Sequence, residues 1–284
     1  MEHYIGIDMG ASSTKGGLVQ NNEIVYKTQI KTPVPMNEQM CLETIYALVD
    51  KIIAQNNVKI AGIGLGLCGT VMADKGIFYG GINISSSKEG WVMDIVTPIQ
   101  KRYGVRVKIA NDVSCFAIAE ARIAKQDNLV YIALGTGINI GVINNGKLFA
   151  GTDGVNLEYG HTSYGDKIVD KAISGLGIRA SAKRMGLDIA HPHEVFEMYD
   201  NNKKAREIVD DFIKALIDIS VNIAYSYRPD IIFVGGGLAV PLERFFGEVE
   251  LGFQMGGVGD KWTDIKLSNI ATNGGILGAA FLNM

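Results

Sequence analysis

Cysteine, proline and tryptophan are scarce in this chain of 284 residues, which contains three, six and two of them. The cysteines, Cys41, Cys68 and Cys115, are widely spaced and odd in number, which excludes a disulfide framework or a zinc cluster and favours a reducing compartment. The sequence has no run of eighteen apolar residues, and its first residues lack the basic and apolar regions of an export signal. We therefore expect a cytoplasmic protein with no membrane partner.

An excess of positive charge is also absent. The chain has 27 basic and 30 acidic residues, a net charge of −3, and 47% hydrophobic residues. This balance offers no basic face for nucleic acid and is typical of a folded globular protein. The length indicates about two domains of ordinary size.

Glycine, by contrast, is abundant. Its 35 residues are about 12% of the chain, against a usual share of about 7%. With few prolines and no low-complexity tract, this excess indicates tight turns and close approaches between the backbone and ligands.

Two segments of the chain resemble each other. The segments that begin at Tyr4 and Tyr131 are each predicted as an apolar strand that ends in a glycine-rich turn, followed by a second strand, at an offset of about 127 residues. Chance similarity of apolar strands is the alternative. Duplication predicts an α/β protein with a cleft between its halves.

We also predict helices at Met36–Asn56, Val92–Tyr103 and Lys203–Tyr227.

Three glycine-rich turns follow apolar strands, at residues 8–14, 135–137 and 235–237. Exposed backbone amides in such turns can bind phosphate oxygens, although each turn alone is more often only a turn. The chain lacks the Walker phosphate-loop pattern. Gly64, Gly66 and Gly69 match the dinucleotide spacing, but no predicted helix follows them, which disfavours a Rossmann site.

Polar residues beside these turns are candidates for chemistry. Asp112 follows a predicted strand and opens a helix, so it is either an N-cap or a carboxylate that takes a proton from a substrate hydroxyl. Glu158 and His161 are either an exposed loop pair or a pair suited to sugar hydroxyls. His191 and His193 stand at the start of a predicted helix, Pro192–Tyr199, and favour a solvated turn over a metal site.

Together these motifs resemble the ROK family of bacterial sugar kinases over essentially the whole chain. Asp8-x-Gly10 with Ser12–Lys15 is similar to the first phosphate loop of the family, and Leu134–Gly141 to the second. Gly235–Gly237 lies at the place of the adenosine loop. Glu158-x-Gly160-His161 is similar to the family's sugar-binding signature.

The resemblance implies a role for each of these residues. Asp112 would be the catalytic base, and Asp8 would hold Mg²⁺ through water. The implied ATP-binding residues are Asp8, Gly10, Ser12, Ser13, Thr14, Lys15, Gly135, Thr136, Gly137, Gly235, Gly236 and Gly237. The implied sugar contacts are Asn83, Asn111, Asp112, Glu158, His161 and Asp170.

The chain departs from the family pattern after His161. Residues 162–174 contain no cysteine, where family members usually have a cysteine-rich zinc segment, so we expect no zinc site. Asp170 stands where the family has a sugar-binding Glu. Family repressors carry a helix-turn-helix before the first phosphate loop, and here that loop begins at residue 8.

The resemblance implies an α/β protein with the duplicated actin/hexokinase-like (ribonuclease H-like) fold, whose two domains flank a catalytic cleft. The expected N-terminal domain spans residues 1–112 and includes the C-terminal helix at 272–284, while the second domain spans 113–271. The expected reaction is ATP- and Mg²⁺-dependent phosphorylation of the 6-hydroxyl of a hexose or N-acetylhexosamine by a homodimer. N-acetylmannosamine is the first choice of substrate and glucose the next, followed by the substrates of other ROK hexokinases. A non-catalytic sugar sensor is the alternative of another class.

Overall fold

The computed structural model describes residues 2–81, 84–85, 87, 89–258, 262–270 and 273–284. Their contacts divide the chain into two compact units. Unit 1 comprises Met1–Lys125, Leu148–Asn156 and Thr272–Met284, and unit 2 comprises Gln126–Lys147 and Leu157–Ala271.

Unit 1 combines strands and helices. Its strands are β1 (His3–Met9), β2 (Ser13–Gln20), β3 (Glu23–Lys31), β4 (Ile60–Leu67), β5 (Thr70–Met72), β6 (Ile77–Gly80), β7 (Trp91–Asp94) and β8 (Arg106–Asn111). Its helices are α1 (Glu38–Asn56), α2 (Val96–Tyr103), α3 (Asp112–Ala124) and α10 (Gly274–Phe281).

Unit 2 contains the remaining elements. Its strands are β9 (Leu129–Leu134), β10 (Ile138–Asn144), β11 (Lys147–Phe149), at which the chain passes into unit 1, β12 (Ser163–Tyr164), β13 (Lys167–Ile168), β14 (Ile231–Gly235) and β15 (Asp264–Leu267). Its helices are α4 (Val169–Ala172), α5 (Gly175–Arg184), α6 (Glu194–Glu197), α7 (Lys203–Tyr227), α8 (Ala239–Leu242) and α9 (Phe246–Met255).

The main sheets of the two units have the same topology. Their strand orders are β3-β2-β1-β4-β8 and β11-β10-β9-β14-β15. In unit 1, β1 pairs antiparallel with β2 and parallel with β4. In unit 2, β9 pairs in the same way with β10 and β14. The predicted duplication is therefore confirmed at the level of topology.

Each sheet is buried by a helix with an apolar face. In unit 1, α1 buries Ile45, Leu48 and Ile52, which belong to the same apolar cluster as Ile5 and Ile63 of the sheet. This helix begins after Asn37, whose side chain accepts a hydrogen bond from Met40 N–H, and ends at Asn57, which has a φ of 48°. In unit 2, the 25-residue helix α7 has the corresponding place in the core.

The packing of α10 explains why the unit 1 sheet has glycine at two strand positions. A Cβ atom on Gly6 would collide with the backbone oxygen of Ile276, and one on Gly64 with that of Ala279. These two strand positions let the helix backbone lie directly on the sheet, which a larger residue would prevent.

The units differ from the predicted domains at α3 and at Leu148–Asn156, both of which belong to unit 1. The reason at α3 is close packing, since a Cβ atom on Gly278 of α10 would collide with the backbone oxygen of Cys115. The predicted helix Val92–Tyr103 is wrong at its start, because residues up to Asp94 pair with β6. The predicted helix Pro192–Tyr199 shortens to α6, with turns on both sides.

Candidate functional site

Asp8 lies near the end of β1 and is buried, with 8% of its surface exposed. Within the sheet, Asp8 pairs with Lys15 of β2 and with Gly66 of β4. Burial raises the pKa of its carboxyl group, and the nearby Lys15 ammonium partly opposes this rise. Within the described part of the chain, the structure records no hydrogen bond to the Asp8 carboxylate, which leaves it available to an external cation or donor.

In the turn after Asp8, the residues next to the strands are hydrogen-bonded, whereas the tip of the turn is exposed. The hydroxyls of Thr14 and Thr32 lie 2.9 Å apart, and the Thr32 hydroxyl donates to the backbone oxygen of Gly10 at 2.7 Å. Thr14 is fully buried, whereas Ser12 is exposed and Ser13 partly exposed. Of the hydroxyls predicted to face phosphate, those of the two serines are accessible.

Asn111 and Asp112 join β8 to α3. The Asn111 side chain donates to the backbone oxygen of Gly69 at 3.1 Å, and its oxygen accepts from Val113 N–H at 2.9 Å. Asn111 is therefore the N-cap of α3. Asp112 is the first helical residue, and its Oδ1 also accepts from Val113 N–H at 3.0 Å, so its carboxylate adds to the cap without holding the N-cap position.

The Asp112 carboxylate has the electrostatics of a general base. Burial, with a further contribution from the negative charge of Asp8, raises its pKa to about 7. A carboxylate with this pKa changes protonation near neutral pH, where proton acceptance is most effective. The charge of Asp8 thus acts on Asp112 within unit 1.

The second glycine turn, between β9 and β10, is held on both sides by unit 2. Gly175 N–H and Leu176 N–H donate to the backbone oxygens of Gly135 and Thr136, at 2.9 and 3.0 Å. Asp170 contacts the end of the same turn at Ile138. The sequence predicts Asp170 as a sugar contact, and the structure places its carboxylate against the backbone of the turn.

The third glycine turn follows β14 and packs against the end of β9. Gly236 has a φ of 94°, and a Cβ atom there would collide with the backbone oxygen of Leu134. Only glycine tolerates both conditions. The second and third turns line one cavity of about 510 Å³, together with Leu176, Arg179, His191, Pro192 and His193.

The two histidines of this cavity stand on a well-fixed loop. Their rings are stacked, with centroids 5.4 Å apart and planes 9° apart. Glu194 accepts the N–H groups of Ala190 and His191, and Arg179 donates to the backbone oxygen of Ala190 at 2.6 Å. The predicted solvated turn is thus also one wall of a cavity.

Glu158 and His161 lie together at the surface of unit 2. The Glu158 carboxylate and the His161 ring nitrogen are 3.8 Å apart, and about half of the Glu158 side chain is exposed. Asn139 holds this segment, since its side chain donates to Leu157 O at 2.6 Å and accepts from Tyr159 N–H at 3.1 Å. Sequence patterns did not single out Asn139, whose only signal is a polar residue inside an apolar strand.

Some predicted features lie outside these sites. Asn83 is not among the described residues. Among the residues that are described, no group of three or more His, Cys, Asp or Glu side chains could hold a metal ion. No helix in the described ranges combines the length and the apolar character needed to cross a membrane.

Comparisons with known proteins agree with this architecture. The family model described as "ROK family" matches residues 4–283. An N-acetyl-D-glucosamine kinase of Vibrio atlanticus is 28% identical and a glucokinase of Thermotoga maritima 24%, with 99% and 97% of this chain covered and 99% and 95% of theirs.

A solved structure gives the same result for the fold. A Listeria monocytogenes protein, described as a candidate N-acetylmannosamine kinase, is similar with a TM-score of 0.81 and 22% identity, covering 99% of this chain and 98% of its own. The expected fold and the expected enzyme class are both confirmed. The chain belongs to the ROK family, and the protein is a sugar kinase with the actin/hexokinase-like fold.

Proposed function

We propose that the protein transfers the γ-phosphoryl group of ATP to the 6-hydroxyl of an N-acetylhexosamine or hexose, with N-acetylmannosamine as the first choice. The observation that carries this proposal is the Asp112 carboxylate at the start of α3, whose pKa is raised to about 7 beside Asp8. Phosphoryl transfer asks a protein mainly for positioning, charge stabilisation and one proton acceptor.

Asp112 acts as the general base in this reaction. The 6-hydroxyl oxygen of the sugar forms a bond to the γ-phosphorus, and the bond from that phosphorus to the ADP oxygen breaks. ADP leaves with the electron pair, and the hydroxyl proton moves to the Asp112 carboxylate. A positioned base of this kind contributes roughly 10²–10⁴-fold to the rate.

The residues around Asp8 fit a magnesium ion. Its carboxylate is a hard anionic ligand, and no hydrogen bond from the described residues occupies it. Mg²⁺ binds through one or two carboxylates, substrate phosphates and several waters, so Asp8 alone suffices, directly or through water. The ion, when bound, neutralises charge on the phosphates.

The glycine turns hold the nucleotide in this proposal. The first turn supplies Gly10, Ser12, Ser13 and Lys15, whose accessible serine hydroxyls suit phosphate oxygens, whereas the buried Thr14 hydroxyl contacts Thr32 inside the protein. In unit 2, the cavity of about 510 Å³ lined by Gly135, Thr136 and Gly237 has the size of a small-molecule site. We assign the nucleoside to that cavity.

Sugar binding is assigned to polar groups of both units. Glu158 and His161 present an acceptor and a ring nitrogen at the surface of unit 2. Asn111 and Asp112 are the candidates in unit 1, and Asn83 remains a candidate outside the described residues. The sequence also predicts a sugar contact for Asp170, but its carboxylate accepts a hydrogen bond from Ile138 N–H, so we do not assign it to the sugar.

The identity of the sugar rests on the resemblance to family members. N-acetylglucosamine is the second candidate, because the Vibrio relative at 28% identity is named for it, and glucose follows from the Thermotoga relative. The non-catalytic sensor is disfavoured, since binding alone does not require Asp112 or the turns. A homodimer and a cytoplasmic location also remain predictions.

The test is ATP turnover with Mg²⁺ across about ten sugars, including N-acetylmannosamine, N-acetylglucosamine, glucose, fructose and mannose. We expect ADP release with at least one N-acetylhexosamine, at a kcat/KM above that for glucose. Calorimetric binding of a sugar without ADP release for any sugar would instead establish the sensor and overturn the proposal.

A further inference from the structure

Asp170 lies in the first turn of α4, and its side chain reaches the second glycine turn. Its Oδ1 atom accepts a hydrogen bond from the backbone N–H of Ile138 at 2.8 Å. A Cβ atom on Gly137 would lie 2.8 Å from the same oxygen. A side chain at position 137 would therefore displace the Asp170 carboxylate from this contact.

The segment around Asp170 also holds the other end of that turn. The Ser174 hydroxyl donates to the backbone oxygen of Asp170 and accepts from Gly177 N–H at 3.1 Å, which caps α5. From the first residues of α5, Gly175 and Leu176 donate to the backbone oxygens of Gly135 and Thr136. One short stretch thus fixes the turn from both sides.

This bracing orients the peptide groups of the turn. The oxygens of Gly135 and Thr136 face α5, and Gly135 N–H donates across the turn to Gly137 O at 2.9 Å. For the N–H groups of Thr136 and Gly137, the structure records no partner within the described ranges. Two adjacent free amides of this kind suit phosphate oxygens.

From this geometry we propose that Asp170 is a positioning residue for the phosphate-binding turn at 135–138, and that it acts on ATP binding and not on the sugar. The inference rests on the proposed function, since it assumes that this turn binds the phosphates of ATP. It assigns the carboxylate to the backbone of the protein, where the family resemblance implies a sugar ligand.

A positioning residue and a sugar ligand predict different effects of Asp170→Asn on the sugar KM. An asparagine oxygen can still accept from Ile138 N–H, and the negative charge near the phosphates is lost. We therefore expect the KM for ATP to stay within about threefold of wild type or to fall, and the KM for sugar to stay within about threefold. Loss of a charged sugar ligand would instead raise the sugar KM roughly ten- to a hundredfold.

Asp170→Ala distinguishes a residue that positions the turn for ATP from a residue with no effect on ATP binding. It leaves Ile138 N–H without its acceptor, so the turn loosens, and we expect the KM for ATP to rise about tenfold while that for sugar changes less than threefold. Thermal unfolding of both variants shows whether they fold, and Glu158→Ala shows that the assay detects a lost sugar contact.

The measurement is steady-state kinetics for both substrates on the full chain, with calorimetric ATP binding beside it. A sugar KM raised at least tenfold in Asp170→Asn, or an unchanged ATP affinity in a folded Asp170→Ala, would overturn the assignment. Failure of the proposed function is distinct, because wild type itself would then release no ADP with any sugar. If Asp170→Ala does not fold, Asp170→Ser takes its place, because the shorter serine hydroxyl does not reach Ile138 N–H, and the same results support or overturn the assignment.

Discussion

Gly275, in the first turn of α10, packs directly against the carboxylate of Asp8. A Cβ atom at position 275 would lie 2.5 Å from Cγ of Asp8. The two residues are 267 positions apart in the sequence, yet the end of the chain shapes the environment of the proposed magnesium ligand. The chain needs glycine here because any side chain would displace either the carboxylate or the helix.

Gly275→Ala tests this contact. We expect the variant to lose about 1–3 kcal/mol of unfolding free energy through overpacking, and kcat/KM to fall at least tenfold because Asp8 is displaced. Gly247→Ala is the matched control, since it also lies in a helix and a Cβ there meets nothing within 4 Å. Chemical denaturation and turnover check both variants, and wild-type activity in Gly275→Ala would contradict the role given to the Asp8 environment.

The pH dependence of turnover follows from the raised pKa of Asp112, about 7. Only the ionised carboxylate accepts a proton, so log kcat/KM should rise with unit slope below pH 7 and level off above it. A flat profile between pH 5.5 and 8, measured at saturating Mg²⁺, would contradict a base with this pKa.

The same pKa predicts how stability depends on pH. Because the folded-state pKa of Asp112 lies above the unfolded value of about 3.9, the folded state holds the proton more tightly, and unfolding free energy falls as pH rises from about 4 to 7. Asp112→Asn removes this contribution, so it should be more stable than wild type at pH 8 and lose less stability across that window. If the unfolding free energies of the two proteins depended equally on pH, the pKa of Asp112 would not be raised in the folded state.

Glu158→Ala should raise the sugar KM roughly ten- to a hundredfold and leave the ATP KM nearly unchanged, because a charged acceptor for hydroxyls is lost. Glu197→Ala is the matched control, since Glu197 also lies 3.8 Å from a histidine, His193. We expect no change of sugar KM in the control. Equal weakening of both substrates in Glu158→Ala would mark Glu158 as a structural residue.

Much of the fold was predictable from local patterns. Apolar residues and glycine turns indicated the strands of both sheets. Asn145-Gly146 is a dipeptide typical of the hairpin found between β10 and β11, where both residues have positive φ. The start of α2 was missed, although Asp94 accepts from Val96 N–H and Thr97 N–H and so marks it. Pro98 is tolerated because it lies in the first turn of that helix.

The remaining features depend on tertiary contacts. Gly6 and Gly64 have no local reason to be glycine, because the helix that excludes their side chains begins at residue 274. The approach of Asp170 to Ile138 and the place of His191 on a cavity wall likewise require the folded chain. Motifs could name candidate residues, but only the folded structure could show what each side chain contacts.

Asp112→Asn tests the central claim most directly. Asparagine keeps the size of the side chain, and Asn111 still accepts from Val113 N–H, so the fold should be retained. Asp94→Asn is the matched control, because Asp94 is a helix-capping aspartate at the start of α2. If Asp112 only capped α3, the two variants would behave alike.

The decisive measurement is kcat of both variants with ATP and the preferred sugar, alongside calorimetric sugar affinity. We expect Asp112→Asn to lose at least 100-fold in kcat while sugar affinity stays within about tenfold of wild type, and Asp94→Asn to turn over normally. Turnover of Asp112→Asn above a tenth of the wild-type rate would show that Asp112 is not the base.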